Sequence, residues 1–387
     1  MARFPHGVLV VGGGIAGATL ALALARRGVP VRLIERDAGW RPVSAGMFLY
    51  ANGLAALDRI GVLGEVVAAG WASPDGRNPY LTPDGTLITE VSYPRIGGDH
   101  VPPILGILRA ELHRVLARAM AAAGVPVLLG RAVEAVEDAA PGPVVARLSD
   151  GTRLDGDVLI GADGIRSALR GLLFPGVAPE FTGFGVWRSM HDRPASLDAK
   201  VMMMGVGKRL GIMPIGDGRL YVFATSREPG NPWYERDVWH HRMRATFAEF
   251  RGPAARFLDE LSDPAQVVYT PVEEVRLPLP WHRGRVGLIG DAAHASTPFM
   301  GQGGAMAIED AVVLAEMLAE RGPGEAVLAG FGERRHARCA LVQDTSRRVG
   351  EAGGLEDEAA CAARDARLRE SGQATVDGFY ARMAEAI

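Results

Sequence analysis

Cysteine is scarce: the 387 residues contain two, Cys339 and Cys361, with no Cys-x-x-Cys spacing between them. A disulfide framework, a zinc site and a dithiol redox centre are therefore unsupported, and a reducing cytoplasm is the expected compartment. Surplus positive charge is also missing. With 42 Lys+Arg against 45 Asp+Glu the net charge is −3, which argues against a nucleic-acid partner. There is no internal repeat, and the 50 Gly and 25 Pro are scattered without a collagen-like period. His240 and His241 have no acid or thiol partner at ligand spacing, so no metal site is expected. One uncharged stretch, Val8 to Ala25, has the length of a membrane span and ends in Ala-x-Ala like a signal peptide. Its internal pattern decides against both readings. What remains is a globular composition, 48% hydrophobic and 22% charged, on a chain long enough for about two or three domains.

Within that stretch Val8-Leu9-Val10-Val11 reads as a buried strand, followed by Gly12-Gly13-Gly14-Ile15-Ala16-Gly17 and an Ala/Leu-rich helix that stops at Arg26-Arg27-Gly28. A second strand, Val31 to Ile34, closes on Glu35. Strand, Gly-x-Gly-x-x-Gly (Gly12, Gly14, Gly17), helix, strand and terminal acid form a dinucleotide fingerprint, with no membrane element and no NADP-type acceptor, since Glu35 would repel a 2′-phosphate. Gly12 allows the tight turn, Gly14 lets a pyrophosphate approach the helix N-terminus, and Gly17 permits close helix–strand packing. FAD and NAD are not separated by this unit.

Two further motifs each place an acid at the end of a strand, where open α/β sheets bind ligands. Asp157 to Gly161 runs into Asp163-Gly164, and Arg285 to Ile289 runs into Gly290-Asp291, Pro298 and Gly301-Gln302-Gly303-Gly304 before a helix. With all three motifs in this order, the chain resembles the single-component FAD-dependent aromatic hydroxylases, or group A flavoprotein monooxygenases. The likeness covers nearly the whole chain. The segments Lys208-Arg209-Leu210-Gly211-Ile212-Met213-Pro214 and Gly218-Arg219-Leu220-Tyr221 are similar to substrate-facing strands of the urate and salicylate hydroxylase branch.

The resemblance implies an α/β fold of p-hydroxybenzoate hydroxylase type: a Rossmann-like FAD-binding domain over 1–71, 101–172 and 276–335, an antiparallel β-sheet substrate domain over 72–100 and 173–275, and a helical tail over 336–387. The thioredoxin-like third domain of the phenol hydroxylases is not expected. Tightly held, non-covalent FAD would rest on the fingerprint (with Ala16 in its turn), on Glu35 and Arg36 at the adenosine, on Arg109 near the pyrophosphate or ribityl chain, and on the Val133 backbone at the adenine edge. Asp163 would serve the pyrophosphate and transient nicotinamide docking, and Asp291 the ribityl and phosphate groups. The loop Gly301, Gln302, Gly303, Gly304, entered at Pro298, would aim N–H groups at the flavin, with Arg41 and Met47 bordering its ring. No second fingerprint appears, so NADH or NADPH would be a passing co-substrate.

The implied reaction is hydroxylation of a small aromatic or heteroaromatic substrate with NAD(P)H and O2 through a flavin C4a-hydroperoxide, by a monomer or homodimer. The alternatives are a flavin oxidoreductase that inserts no oxygen and a non-catalytic flavin-binding protein. Arg209 and Tyr221 are the leading catalytic pair, a fixed cation for a substrate anion and an orienting hydroxyl. Trp187, Met203, Phe299 and Met300 are the candidate pocket residues, while His191 and His294 read as structural. Ala51-Asn52 replaces the family's Pro-Asn pair, Ala305 a polar residue, and Phe299 an acid beside the proline of urate-type enzymes. The last change points to a flatter or more apolar ring than urate. Between the motifs, Arg236 to Leu261 reads as helical.

Overall fold

The computed structural model describes residues 3–40 and 45–387. Arg41 lies outside the described residues.

A six-stranded sheet runs in the order His282–Arg283, Val286–Leu288, Val158–Gly161, Val8–Val11, Val31–Glu35, Val127–Leu129. Its pairings are parallel except at the His282–Arg283 edge. Parallel strands covered on both faces read as continuous apolar runs, and Val8–Val11 and Val158–Gly161 are buried throughout. Helix Ile15–Arg26 covers one face with ten buried residues. The Val8–Ala25 stretch is thus one strand and one helix, and no helix among the described residues is long and apolar enough to cross a membrane. The register sets Val11 beside Ile34 and Gly161, and Gly161 beside Leu288. Gly12, Glu35, Asp163 and Asp291 consequently leave neighbouring strands at the same carboxyl edge.

The second large sheet has seven strands, in the order Val267–Glu274, Glu180–Asp192, Arg219–Arg227, Lys208–Pro214, Val201–Met204, Arg77–Leu81, Leu87–Ser92. All pairings are antiparallel except Val201–Met204 with Arg77–Leu81. Side chains alternate between its faces. Leu210, Ile212, Leu220, Val222 and Ala224 pack outward against Met243, Phe247, Phe250 and Phe257 in a core of their own. The segment expected to be one helix over 236–261 is broken into Trp239–Thr246 and Ala255–Asp259. Gly252-Pro253 lies between them, and proline removes a helix donor and clashes with the preceding turn.

Arg209 opposite Thr225, Gly211 opposite Phe223 and Met213 opposite Tyr221 point the other way, toward the first sheet. A small sheet of Gly46–Tyr50, Ile104–Leu108 and Trp71–Ala72 forms the seam. The contact there is close: a Cβ on Gly46 would lie 2.3 Å from the Tyr221 ring, and one on Gly106 would lie 1.9 Å from the Pro214 carbonyl oxygen. Helices Gly303–Arg321, Glu325–Gly353 and Glu358–Ala384 complete the chain. They pack into the body of the protein, the last one bringing Tyr380 to 3% exposure.

Candidate active site

Backbone geometry explains the glycines of the fingerprint. Gly12 has φ +103°, and a Cβ on Gly17 would sit 1.9 Å from the Gly12 carbonyl oxygen. Gly14 faces open space. The helix that follows has no side-chain cap and no acid in its first turn, so its free N–H groups suit an anion. Glu35 accepts from the Gly13 N–H at 2.6 Å and the Asp37 N–H at 2.7 Å. Trp40 Nε1 donates to the Gly13 carbonyl at 3.0 Å and His113 Nε2 lies 2.9 Å from the same oxygen. Sequence reasoning missed these two, and no motif marks them.

Asp163 Oδ2 accepts from the Leu169 N–H at 3.1 Å, whereas its buried Oδ1 has no partner. An orphaned acceptor at the carboxyl edge, next to an uncapped helix, fits a polyhydroxylated phosphate ligand. Arg36, Arg109 and Asp291 are exposed around the same edge, and Val133 is buried at the start of the strand Val133–Asp138.

The second glycine loop begins at the exposed Pro298 and turns through Gly301, φ +65°. A Cβ on Gly301 would strike the Phe48 ring at 2.0 Å, and one on Gly304 would lie 2.9 Å from Met47 Cε. The helix from Gly303 again lacks a side-chain cap and a first-turn acid. Gln302, 1% exposed, is turned into the protein: Asn52 Nδ2 donates to it at 3.1 Å, and its own Nε2 donates to the Tyr380 hydroxyl at 3.3 Å. Asn52 also donates to Glu309 at 2.8 Å.

Behind the loop, Asp310 accepts from the Gly290 N–H at 2.9 Å, from Arg335 at 2.8 Å and from His294 at 2.5 Å. Burial alone would lower the His294 pKa, but Cys339 and Asp310 beside it hold it well above the ordinary histidine value. His294, Asp310 and Cys339 form the one compact His/Cys/acid cluster among the described residues. Arg335 already occupies the carboxylate, so the group serves to anchor the Gly290-Asp291 turn.

On the sheet face opposite this loop, Arg209 is 6% exposed. Its Nη2 donates to the Phe299 carbonyl at 2.9 Å, Nε reaches Thr225 Oγ1 at 3.4 Å, and the guanidinium lies 5.0 Å over the Phe299 ring. No carboxylate pairs with it among the described residues. Burial pulls its pKa down to about 10 against the opposing pull of Tyr80, Tyr50 and Tyr93, so it is charged at neutral pH. Tyr221 shares this face, stacked on Phe223 at 5.3 Å, its hydroxyl pKa raised by burial against the influence of Arg188. Phe299 is wedged against Phe184 at 5.0 Å, and the Met300 N–H donates to Ser346 at 3.3 Å.

Trp187 and Met203, expected in the pocket, point the other way, into the outward core with Leu210 and Ile212. Strand parity is the reason: Met203 pairs with Leu210, so Met202 and Met204, opposite Gly211 and Arg209, are the methionines on the site face.

Sequence reasoning also missed Lys200. Only 4% exposed, it lies 2.9 Å from the Tyr50 hydroxyl and 3.2 Å from that of Tyr93, within 4.8 Å of the Phe48 ring. Burial, then Arg209, lowers its pKa to about 7. Two glycines at the end of the long helix and the one that follows it shape the same region: a Cβ on Gly350 would lie 2.2 Å from the Phe299 ring, one on Gly353 2.8 Å from Arg209 Cδ, and one on Gly354 2.5 Å from Phe184.

A parallel sheet with anion-accepting turns at its carboxyl edge, roofed by an antiparallel sheet that presents a buried cation, defines a flavoprotein that acts on a small molecule. Residues 6–348 match the family model described as FAD binding domain. The chain is 34% identical to the aurachin C monooxygenase/isomerase of Stigmatella aurantiaca over 96% of this chain and 95% of that one. It is 34% identical to the 2-heptyl-3-hydroxy-4(1H)-quinolone synthase of Pseudomonas aeruginosa over 90% of each. Klebsiella pneumoniae HpxO, solved with FAD and uric acid, superposes with a TM-score of 0.86 at 26% identity, covering 98% of this chain and 97% of that one. The chain belongs to the FAD-binding domain family and, within it, to the single-component FAD-dependent monooxygenases.

Proposed function

We propose that the protein uses NAD(P)H and O2 to hydroxylate a small aromatic or heteroaromatic ring bearing an ionisable hydroxyl, enol or N–H. The observation that carries this reading is Arg209, a buried cation without a carboxylate on the face opposite the glycine loop. An isolated buried charge is costly, and a substrate anion relieves that cost. When bound, the flavin supplies electrons taken from NAD(P)H and the activated oxygen atom. The protein's part is positional. Gly12, Gly14, Ala16, Gly17 and Asp163 hold the phosphates, Glu35 and Arg36 the adenosine, Val133 the adenine edge, Arg109 and Asp291 the chain between, and the Gly301–Gly304 loop with Met47 the ring. Arg209 fixes the ionised substrate and Tyr221 orients it.

Phe223, Met202 and Met204 make this face apolar beside Arg209, Phe48 packs on Phe223 from the seam, and the residue after Pro298 is Phe299. These features favour a flat, largely apolar heteroaromatic over urate. FAD is held by 1–71, 101–172 and 276–335 and substrate by 72–100 and 173–275, in a cytoplasmic monomer or homodimer. A screen of NAD(P)H oxidation over phenols, salicylates, anthranilates, hydroxypyridines, quinolones and purines tests the proposal. Stimulation by one compound, with label from 18O2 in its product, is expected; label from water, or no stimulation by any of them, refutes it.

A further inference from the structure

Lysine has been almost eliminated from this chain. Of its 42 basic residues two are lysines, Lys200 and Lys208. Lys208 is an ordinary partly exposed residue, 3.1 Å from Glu249. Lys200 is buried, and no carboxylate pairs with it among the described residues. The groups around it come from five elements: Tyr50 ends the strand Gly46–Tyr50, Tyr93 follows Leu87–Ser92, Tyr80 lies on Arg77–Leu81, Arg209 on Lys208–Pro214, and Tyr380 on the last helix. Burial raises the pKa of all four phenols, so none offers a counter-charge at neutral pH. Asn78 donates to the Tyr93 hydroxyl at 3.0 Å while its own buried Oδ1 is unpartnered, a second sign that the cluster awaits a polar ligand.

The cluster adjoins the glycine loop. The Phe48 ring touches Gly301 and lies 4.8 Å from the Lys200 amine, and Tyr380 accepts from Gln302. Arginine cannot release its proton in such a setting, whereas lysine can. In a chain that uses arginine elsewhere for positive charge, a lone buried lysine against two phenols points to proton transfer.

Resting on the hydroxylation reading above, we propose that Lys200 is the proton acceptor of the reaction, taking the substrate's ring-hydroxyl, enol or N–H proton through the Tyr50 hydroxyl. The substrate bond to hydrogen breaks as its proton passes to Tyr50 Oη; the Tyr50 O–H breaks as its proton passes to Lys200 Nζ. Tyr50 is unchanged, the substrate becomes an anion beside Arg209, and the new ammonium balances the charge. Burial and Arg209 keep the amine basic near neutrality, where such a group is most effective.

Two lysines make the test direct. In the FAD-loaded K208R protein, lysine labelled with 13C and 15N at its side chain leaves Lys200 as the single side-chain amine in the NMR spectrum. We expect it to titrate at least two pH units below the ordinary lysine value of 10.5; an amine that stays charged to pH 9 overturns the proposal. With a compound that stimulates NAD(P)H oxidation, K200M and K200R should both lose about a hundredfold or more in turnover, the lower range for general-base loss. Both should also lose the acidic limb of the pH profile, at unchanged FAD absorbance. Wild-type turnover in K200R means that charge alone matters and overturns the proposal. Y50F, which keeps the ring and removes the relay oxygen, should displace the same limb, and an unmoved profile counts against the relay even if the lysine variants fail to fold. If no compound stimulates oxidation in the unsubstituted enzyme, the hydroxylation reading has failed, and that outcome is separable from unaltered turnover in K200R.

Discussion

Arg335 and Arg209 are both almost wholly buried, at 1% and 6% exposure, and their surroundings could hardly differ more. Arg335 meets Asp310 and Glu309, each at 2.8 Å. Burial alone would lower its pKa, and those carboxylates with Cys339 reverse the effect and raise it. Arg209 has a carbonyl, a hydroxyl and an aromatic ring, and its pKa falls to about 10. A buried cation whose anions are built in is closed and serves the fold. One whose anion is missing is open and serves a ligand.

The largest effect expected from this contrast is on stability. Arg335→Met removes the buried cation that bridges Glu309 and Asp310, leaving the first to Arg338 and the second to His294, and should cost about 3 kcal/mol in urea unfolding; a loss below about 1 kcal/mol would remove the distinction. Arg209→Met should show the reverse pattern, with stability nearly unchanged or improved and kcat/KM down roughly ten- to a hundredfold. That range follows from about 1.5–3 kcal/mol for a hydrogen bond to a charged group. Its oxidation of NAD(P)H should be diverted to H2O2, and wild-type coupling would sink the assignment.

Next in size, the two regions should answer pH with opposite sign. The raised pKa of His294 means that its pairing with Asp310 stabilises fully below the unfolded value, about 6.5, and fades as pH rises through the folded one. The lowered pKa of Lys200, about 7 against an unfolded 10.5, means that the folded protein binds fewer protons between those values, so this site gains stability as pH rises across that window. Thermal melts against pH should lose the falling component in His294→Gln and the rising one in Lys200→Met. The smallest effect is expected on the far face of the seven-stranded sheet. Met203→Leu should cost less than about 1.5 kcal/mol and leave substrate preference alone, whereas Met204→Leu, one residue on, should shift it.

The FAD-binding fold was legible because steric demands there are local. Gly12 needs its positive φ, Gly17 leaves no room for a Cβ, and each acid follows its own strand, so a few neighbouring residues carry the whole signal. The roof was legible only as a sheet. Three consecutive methionines give no parity, and only the pairing of Met203 with Leu210 says that Met202 and Met204 share the face of Arg209. Trp187 was misread for the same reason, since Arg188 and Val186 take the opposite side of its strand. Nothing local marks Lys200: Tyr50 and Tyr93 reach it from distant parts of the chain, Tyr380 packs on both, and only folding brings them together.

Gly350 and Gly353 lie one turn apart on the long helix, where one holds off the Phe299 ring and the other the stem of Arg209. A single methyl at either position has to push an aromatic wall or a guanidinium inward. The placement of Phe299 and Arg209 is thus adjustable from a helix surface behind them. Divergence among related enzymes can therefore proceed by resizing from behind, and two chains with identical lining residues need not accept the same molecule.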